Sequence, residues 1–307
     1  MGTAELACPS LQALCLAKDL QVVAAVTRPD RPKGRELKVH FSPVKELALK
    51  ENLPVLQPER ARNEGFIQEL KQLRPDLIVV AAFGQILPQA ILDTPRFGCV
   101  NVHTSLLPKY RGAAPIQWAI LNDETETGVT IMKMDAGMDT GDILAQASTP
   151  IFPQDNGETL HDRLAALGAD LLAQTVADYV AGKITPRSQP AEGVSCARKI
   201  TKADGRLDWS QPARALWNRV RAFTPWPGGY TYLPAEPQPQ LLKIWAAAVD
   251  EQMSGHPGEI LKADKTGIVI GCGEHALRIL ILQLEGGRRL AAREFLTGHP
   301  LQPGQRL

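Results

Sequence analysis

Asn101 and His103 stand two residues apart at the end of the run Phe97-Gly-Cys-Val-Asn-Val-His103. A strand repeats its side-chain direction every two residues. Both groups therefore face one way, while Val100 and Val102 face the other. An amide donor beside an imidazole can hold a developing oxyanion and move a proton. In open α/β sheets such groups gather at the carboxyl ends of strands. The same pair could equally close a strand with satisfied side chains, and spacing alone leaves both readings open.

Ser105-Leu-Leu-Pro108 follows, then Lys109-Tyr-Arg-Gly112 and Ala113-Ala-Pro115. Such a loop could wall a flat aromatic ligand with Leu106 and Leu107, or merely cover a sheet edge. Farther on, Asp135-Ala-Gly-Met-Asp139-Thr-Gly-Asp142 puts three carboxylates into a short stretch. A calcium loop counted from Asp135 needs an oxygen ligand third, glycine sixth and glutamate twelfth. Those places hold Gly137, Thr140 and Gln146, so the match fails. A polar turn, or an aspartate presented to the His103 site, remains. No glycine-rich dinucleotide loop, phosphate loop or His-Glu-x-x-His motif occurs, so nicotinamide, ATP and zinc chemistry have no positive signal.

These residues need a scaffold. Apolar runs at 21–27, 76–83, 97–103 and 127–134 predict buried strands. Helical patterns at 4–17, 63–73 and 114–121 lie between or beside them. Ser42 followed by Pro43 predicts a capped helix through Lys50. Alternation of this kind predicts an α/β fold with a doubly wound, mostly parallel sheet. A long amphipathic helix is predicted over 157–182, and a polar linker over 183–202. A helix at 210–222 and the turn Phe223-Thr-Pro-Trp-Pro-Gly228 then lead into short strands at 230–233, 241–249, 258–262, 267–272 and 276–284. That spacing predicts a small barrel or sandwich. The domains are read as 1–182 and 203–307.

The chain has 307 residues and a net charge of +1. This excludes a uniformly basic nucleic-acid coat but not a basic patch. Residues 1–199 hold 21 basic and 23 acidic residues, and 200–307 hold 13 and 10. The loop 28–45 alone carries six basic residues against two acidic. The longest apolar runs, such as Leu77–Phe83, fall short of the ~20 residues that span a bilayer. Five scattered cysteines form no Cys-x-x-Cys pair, and no charged stretch with an apolar core opens the chain. A reducing cytoplasm is the expected compartment.

The run from Asn101 to Ile116, with Gly128-Val-Thr-Ile131 and Met134–Asp142, resembles the methionyl-tRNA formyltransferase family. The Asn-x-His pair and the later aspartate are shared by folate-dependent formyltransferases at large. Arg111-Gly-Ala-Ala-Pro-Ile-Gln117, Arg28-Pro-Asp-Arg-Pro-Lys-Gly-Arg35 and Phe223–Gly228 are more specific to the tRNA enzymes. The resemblance spans essentially the whole chain. It implies a Rossmann-like formyltransferase domain, a linker and an OB-like β-barrel domain. It implies 10-formyltetrahydrofolate as donor, initiator methionyl-tRNA as acceptor, and no metal. By matched position, catalysis falls to Asn101, His103 and Asp139. The folate pocket falls to Phe83, Gly84, Gln85, Ile86, Leu87, Ser105, Leu106, Leu107 and Pro108. The tRNA contacts fall to Arg28, Arg31, Lys33, Arg35 and Lys38, with Arg35 foremost. The implied protein is a monomer in a bacterial cytoplasm.

Two rivals are weighed. A purine-precursor formyltransferase would not need the 28–41 loop or the barrel; a sugar-nucleotide enzyme can carry a C-terminal domain, so the loop and the Phe223–Gly228 run weigh most against it. A non-catalytic RNA binder would not need Asn101, His103 and Asp139 together. In the family a strand of roughly six residues precedes the Gly-Thr that matches Gly2-Thr3, in mid-sheet. This chain lacks it. The expectation is that Met1 is internal to the natural protein, and that the neighbouring ladder groups are otherwise left unpaired.

Overall fold

A computed structural model describes residues 1–33, 38–235 and 237–307. The chain forms two compact units. The first comprises Met1–Pro115, Glu126–Pro150 and His161–Arg198; the second comprises Ile116–Thr125, Ile151–Leu160 and Lys199–Leu307.

In the first unit a four-stranded sheet runs in the order Ile78–Val80, Cys99–His103, Glu126–Lys133, Ile143–Pro150. The first pairing is parallel and the other two are antiparallel. The sheet is therefore parallel on its Ile78–Val80 side and antiparallel at its Glu126–Pro150 edge. The last pairing is antiparallel because the short loop between Lys133 and Ile143 turns the chain back beside itself. Ile143–Pro150 is an edge strand whose outer half alternates between half-buried and exposed. Val100 is fully buried and Val102 is 5% exposed, as the period of two requires. Ser42 caps its helix by accepting from Lys45 N at 3.1 Å, with Pro43 at the first turn. Pro9 is tolerated because it lies in the first turn of Ala7–Leu16, where no helical bond is lost.

The predicted strand 21–27 is reduced to Ala25–Val26, which pairs in parallel with Val55–Leu56. Its other side explains the shortening. Gly2 N donates to Val26 O at 2.9 Å, Ala81 N to Met1 O at 3.0 Å, and the Met1 amine to Val79 O at 2.6 Å. Met1–Thr3 thus lie between Ala25–Val26 and Ile78–Val80 as a strand would. Beyond Met1 the gap continues as a cavity of about 600 Å³, lined by Leu14, Val22, Leu77, Phe97 and Val176 among others. Residues 21–24 border this cavity, and among the described residues no strand lies beside them there.

Burial pulls the Met1 amine down from 8.0 to about 6. The folded state then binds fewer protons than the unfolded one between these values, so stability rises with pH across that window. A protein beginning at Met1 is expected to hold this contribution fully above pH ~8 and to lose it as pH falls through ~6, a change on the order of 2–3 kcal/mol. Denaturant midpoints at pH 6 and 8.5 check this. Acetylating the amine should remove the difference.

In the second unit an antiparallel sheet runs in the order Gly229–Leu233, Gln240–Asp250, Ala276–Leu284, Gly267–Gly271, Ile260–Asp264. Leu290–Ala291 adds to Ala276–Leu284. These match the predicted short strands and curl into a barrel-like sheet. Leu242, Ile244, Ile268, Ile270, Ile279 and Leu282 form the core, covered by Leu216 and Val220 of the helix Ala213–Ala222. Among the described residues, no helix is long and apolar enough to cross a membrane.

Candidate active site

Asn101 and His103 share one face of Cys99–His103. Asp139 reaches them from the loop between Lys133 and Ile143. Asn101 Nδ2 donates to Asp139 Oδ1 at 3.4 Å, and His103 Nδ1 lies 3.7 Å from Asp139 Oδ2. The His103 ring is buried, and its Nε2 lies 3.0 Å from the Tyr110 carbonyl. That carbonyl is acceptor-only, so Nε2 donates and fixes the ring. The Nδ1–carboxylate distance is ion-pair range but too long for a hydrogen bond. Nδ1 is therefore left open to a reacting group.

The three carboxylates of the loop have separate jobs. Asp135 accepts from Gly137 N at 3.0 Å and from Thr140 Oγ1 at 2.8 Å, closing the turn. Asp142 accepts from Ser188 Oγ at 3.1 Å. Asp139 alone faces the imidazole. It accepts from Gly112 N at 2.8 Å, a charge-assisted bond that holds the carboxylate in place. Gly112 has a φ of 119°, and a Cβ there would lie 2.7 Å from the Ala197 carbonyl, so only glycine fits.

The buttress behind this loop comes from residues that sequence reasoning missed. Gln189 Nε2 donates to the carbonyls of Asp139 and Gly141, each at 2.8 Å, and its Oε1 accepts from Arg111 Nη2 at 2.7 Å. Ser195 Oγ accepts from Tyr110 N at 2.9 Å. The segment 183–202 had the texture of a linker, yet Arg187 pairs with Ile143 and Cys196–Ala197 pairs with Arg111–Gly112. Ala82, Tyr110 and Asp139 all take positive φ, at 44°, 61° and 53°. Such strain costs of order 1 kcal/mol or more per residue and is characteristic of functional loops.

Two loops follow adjacent parallel strands. Val80 pairs with Asn101, so residues 81–87 and 104–108 leave the same sheet end. In the first loop Phe83 and Leu87 are buried anchors, while Ile86 is 91% exposed. Gln85 Oε1 accepts from Ala61 N at 2.8 Å, and Gly84 takes positive φ. In the second loop Ser105 and Leu107 turn inward. Ser105 Oγ donates to the Lys109 carbonyl at 2.6 Å, and Leu107 N donates to Thr130 Oγ1 at 3.1 Å. Leu106 and Pro108 stay half-buried. Exposed Ile86 on one loop and half-buried Leu106 and Pro108 on the other suit a flat ligand at this sheet end.

The basic residues scatter differently. The Arg28 guanidinium donates to the Gly84 carbonyl. Arg31 lies 3.6 Å from Glu59 at the surface. Arg31–Lys33 and Lys38–His40 pair as a hairpin, in which Lys33 registers with Lys38. Arg35 lies outside the described residues. The root of the hairpin is pinned by Lys45, which pairs with Asp30 and donates to Gln57 Oε1 at 2.9 Å.

Residues 6–176 match the family model "Formyl transferase", and 199–300 match "Formyl transferase, C-terminal domain". The chain belongs to the formyl transferase family. A methionyl-tRNA formyltransferase of Geobacter sulfurreducens is 48% identical over 307 residues, covering 100% of this chain and 95% of the relative. One from Caldanaerobacter subterraneus subsp. tengcongensis is 50% identical over 306 residues, covering 99% and 97%. Among solved structures, an N-formyltransferase of Helicobacter canadensis, in complex with folinic acid and dTDP-3-aminofucose, superposes with a TM-score of 0.65. It covers 91% of this formyl transferase and 97% of its own chain at 20% identity, a likeness of fold alone. HypX from Aquifex aeolicus, in complex with tetrahydrofolic acid, gives 0.59 at 20% identity, covering 85% of this chain and 46% of its own.

Proposed function

We propose that the protein transfers the formyl group of 10-formyltetrahydrofolate to the α-amino group of methionyl-initiator tRNA, giving N-formylmethionyl-tRNA. The observation that carries this reading is the meeting of Asn101, His103 and Asp139, in a chain about half identical along its length to proteins named methionyl-tRNA formyltransferase.

The amine must attack in its neutral form, and an α-amino group titrates near pH ~8. Its lone pair adds to the formyl carbon, and the carbonyl oxygen becomes an oxyanion. Asn101 Nδ2 and the Nδ1 proton of His103 donate to that oxygen. The bond from carbon to N10 of the folate then breaks. N10 gains a proton as the amine loses one. Asp139 stabilises the protonated imidazole during this exchange. Ile86, Leu106 and Pro108 offer apolar surface to the folate. Phe83, Gly84, Gln85, Leu87, Ser105 and Leu107 shape its two loops.

Arg28, Arg31, Lys33, Arg35 and Lys38 approach the tRNA acceptor stem, and the second unit holds backbone phosphates. Residues 1–182 carry the catalytic groups, 183–202 run as a linker whose Gln189 and Ser195 brace them, and 203–307 bind the tRNA. The protein works as a monomer in the bacterial cytoplasm. Log affinity for initiator tRNA is expected to fall linearly with log salt, by about 0.9 per duplex phosphate contact. A flat plot would remove tRNA as the ligand.

A further inference from the structure

The turn Phe223–Gly228 has no part in the chemistry above. Phe223 is 1% exposed and Gly228 N donates to its carbonyl at 2.9 Å, so the turn is anchored. Trp226 at its tip is nevertheless 53% exposed. Behind it lies the outer face of the second unit's sheet. Tyr230 registers with Lys243, and Lys243 with Gln283. The alternate residues Thr231, Leu242 and Leu282 point into the core. Trp245 joins this face: its indole N–H donates to Gln283 Oε1 at 2.9 Å, and the Arg289 guanidinium stacks 3.5 Å from its ring centroid.

The turn and the sheet enclose a hollow of about 460 Å³, walled by Lys202, Trp226, Tyr230, Lys243, Gln283 and Glu285 among others. Two aromatic residues, Trp226 and Tyr230, and two lysines line it. Lys243 also lies 5.6 Å from the Trp245 ring centroid. Glu285 is the one acid among these six wall residues, and Arg289 adds a cation beside them.

We propose that this hollow is a nucleotide site that takes one unstacked RNA base against Trp226, with its phosphate at Lys202 and Lys243. Single-stranded RNA is held in this way, by aromatic stacking plus cations that follow the backbone. A purely apolar partner would leave both lysines desolvated, and a duplex offers no free base face. Gln283 supplies an amide to the edge of the base. The site adds a single-stranded contact to the proposed tRNA ligand, and so rests on that reading.

The test compares initiator-tRNA affinity in the parent protein, Trp226→Ala and Trp226→Phe. Loss of one stacked base is expected to weaken binding about 5- to 100-fold in W226A. W226F should stay within about threefold, because it keeps a ring. In parallel, a single-stranded RNA tetranucleotide should quench tryptophan emission in the parent and not in W226A. Unchanged tRNA affinity in W226A, an equal loss in W226F, or equal quenching in parent and W226A would each overturn the site. Formylation of methionyl-tRNA by the parent is measured alongside. Failure there strikes the proposed function, whereas product with unaltered W226A affinity strikes this site alone.

Discussion

Asn101→Ala is expected to lower kcat for formyl transfer by about 10²–10³, the usual cost of removing one oxyanion donor. The argument rests on where the amide sits. Its strand is central, with Ile78–Val80 on one side and Glu126–Lys133 on the other. The backbone at Asn101 is held by both neighbours, so truncating the side chain leaves the strand in place. One amide hydrogen is engaged by Asp139 at 3.4 Å, and the other is available to the substrate oxygen. The loss should appear in kcat, with tRNA affinity nearly unchanged, since Asn101 is separate from the basic hairpin. Steady-state kinetics beside a direct binding measurement separates the two. A collapse of tRNA binding with kcat preserved would remove Asn101 from the chemistry.

The second large effect is expected from Asp139→Asn. Asparagine tolerates the left-handed backbone at this position about as well as aspartate. It also keeps one oxygen for the Gly112 amide. Thermal stability should therefore stay close to the parent. What is lost is the negative charge beside His103, and with it the stabilisation of the protonated ring. The amide's own N–H₂ group would then face the donor Asn101 Nδ2. A fall in kcat of about 10²–10⁴ is expected, the range of a general acid–base contribution. A variant with parental kcat would reduce Asp139 to a loop anchor like Asp135.

The contrast between these two residues shows what could be read from the sequence. Asn101 and His103 were legible from a period of two at a strand end. Asp139 was not separable from Asp135 and Asp142 by spacing; only the resemblance singled it out. The structure supplies the physical difference, because Asp135 is spent on Gly137 and Thr140 while Asp139 crosses to the sheet. The second unit's strands were legible because turn residues punctuate short alternating runs. The antiparallel edge strand Ile143–Pro150 has no strand signal because Ile143 and Leu144 are its only large apolar residues and its outer half is small or polar. Gln189 and Ser195 were invisible for another reason. Their partners lie 48 to 85 residues away in the chain, and no local pattern encodes such a contact. The apolar run 21–27 is only partly a strand, because apolar, β-branched residues also line a cavity where no neighbouring strand among the described residues covers them.

Formyl transfer itself is the most direct measurement. The folded protein is incubated with 10-formyltetrahydrofolate and either methionyl-initiator tRNA or an amino-sugar nucleotide, and product is followed with each acceptor. The expected result is N-formylmethionyl-tRNA, formed much faster than any sugar product. Formylation of the sugar nucleotide in preference to the tRNA, or no product from well-folded protein, would contradict it.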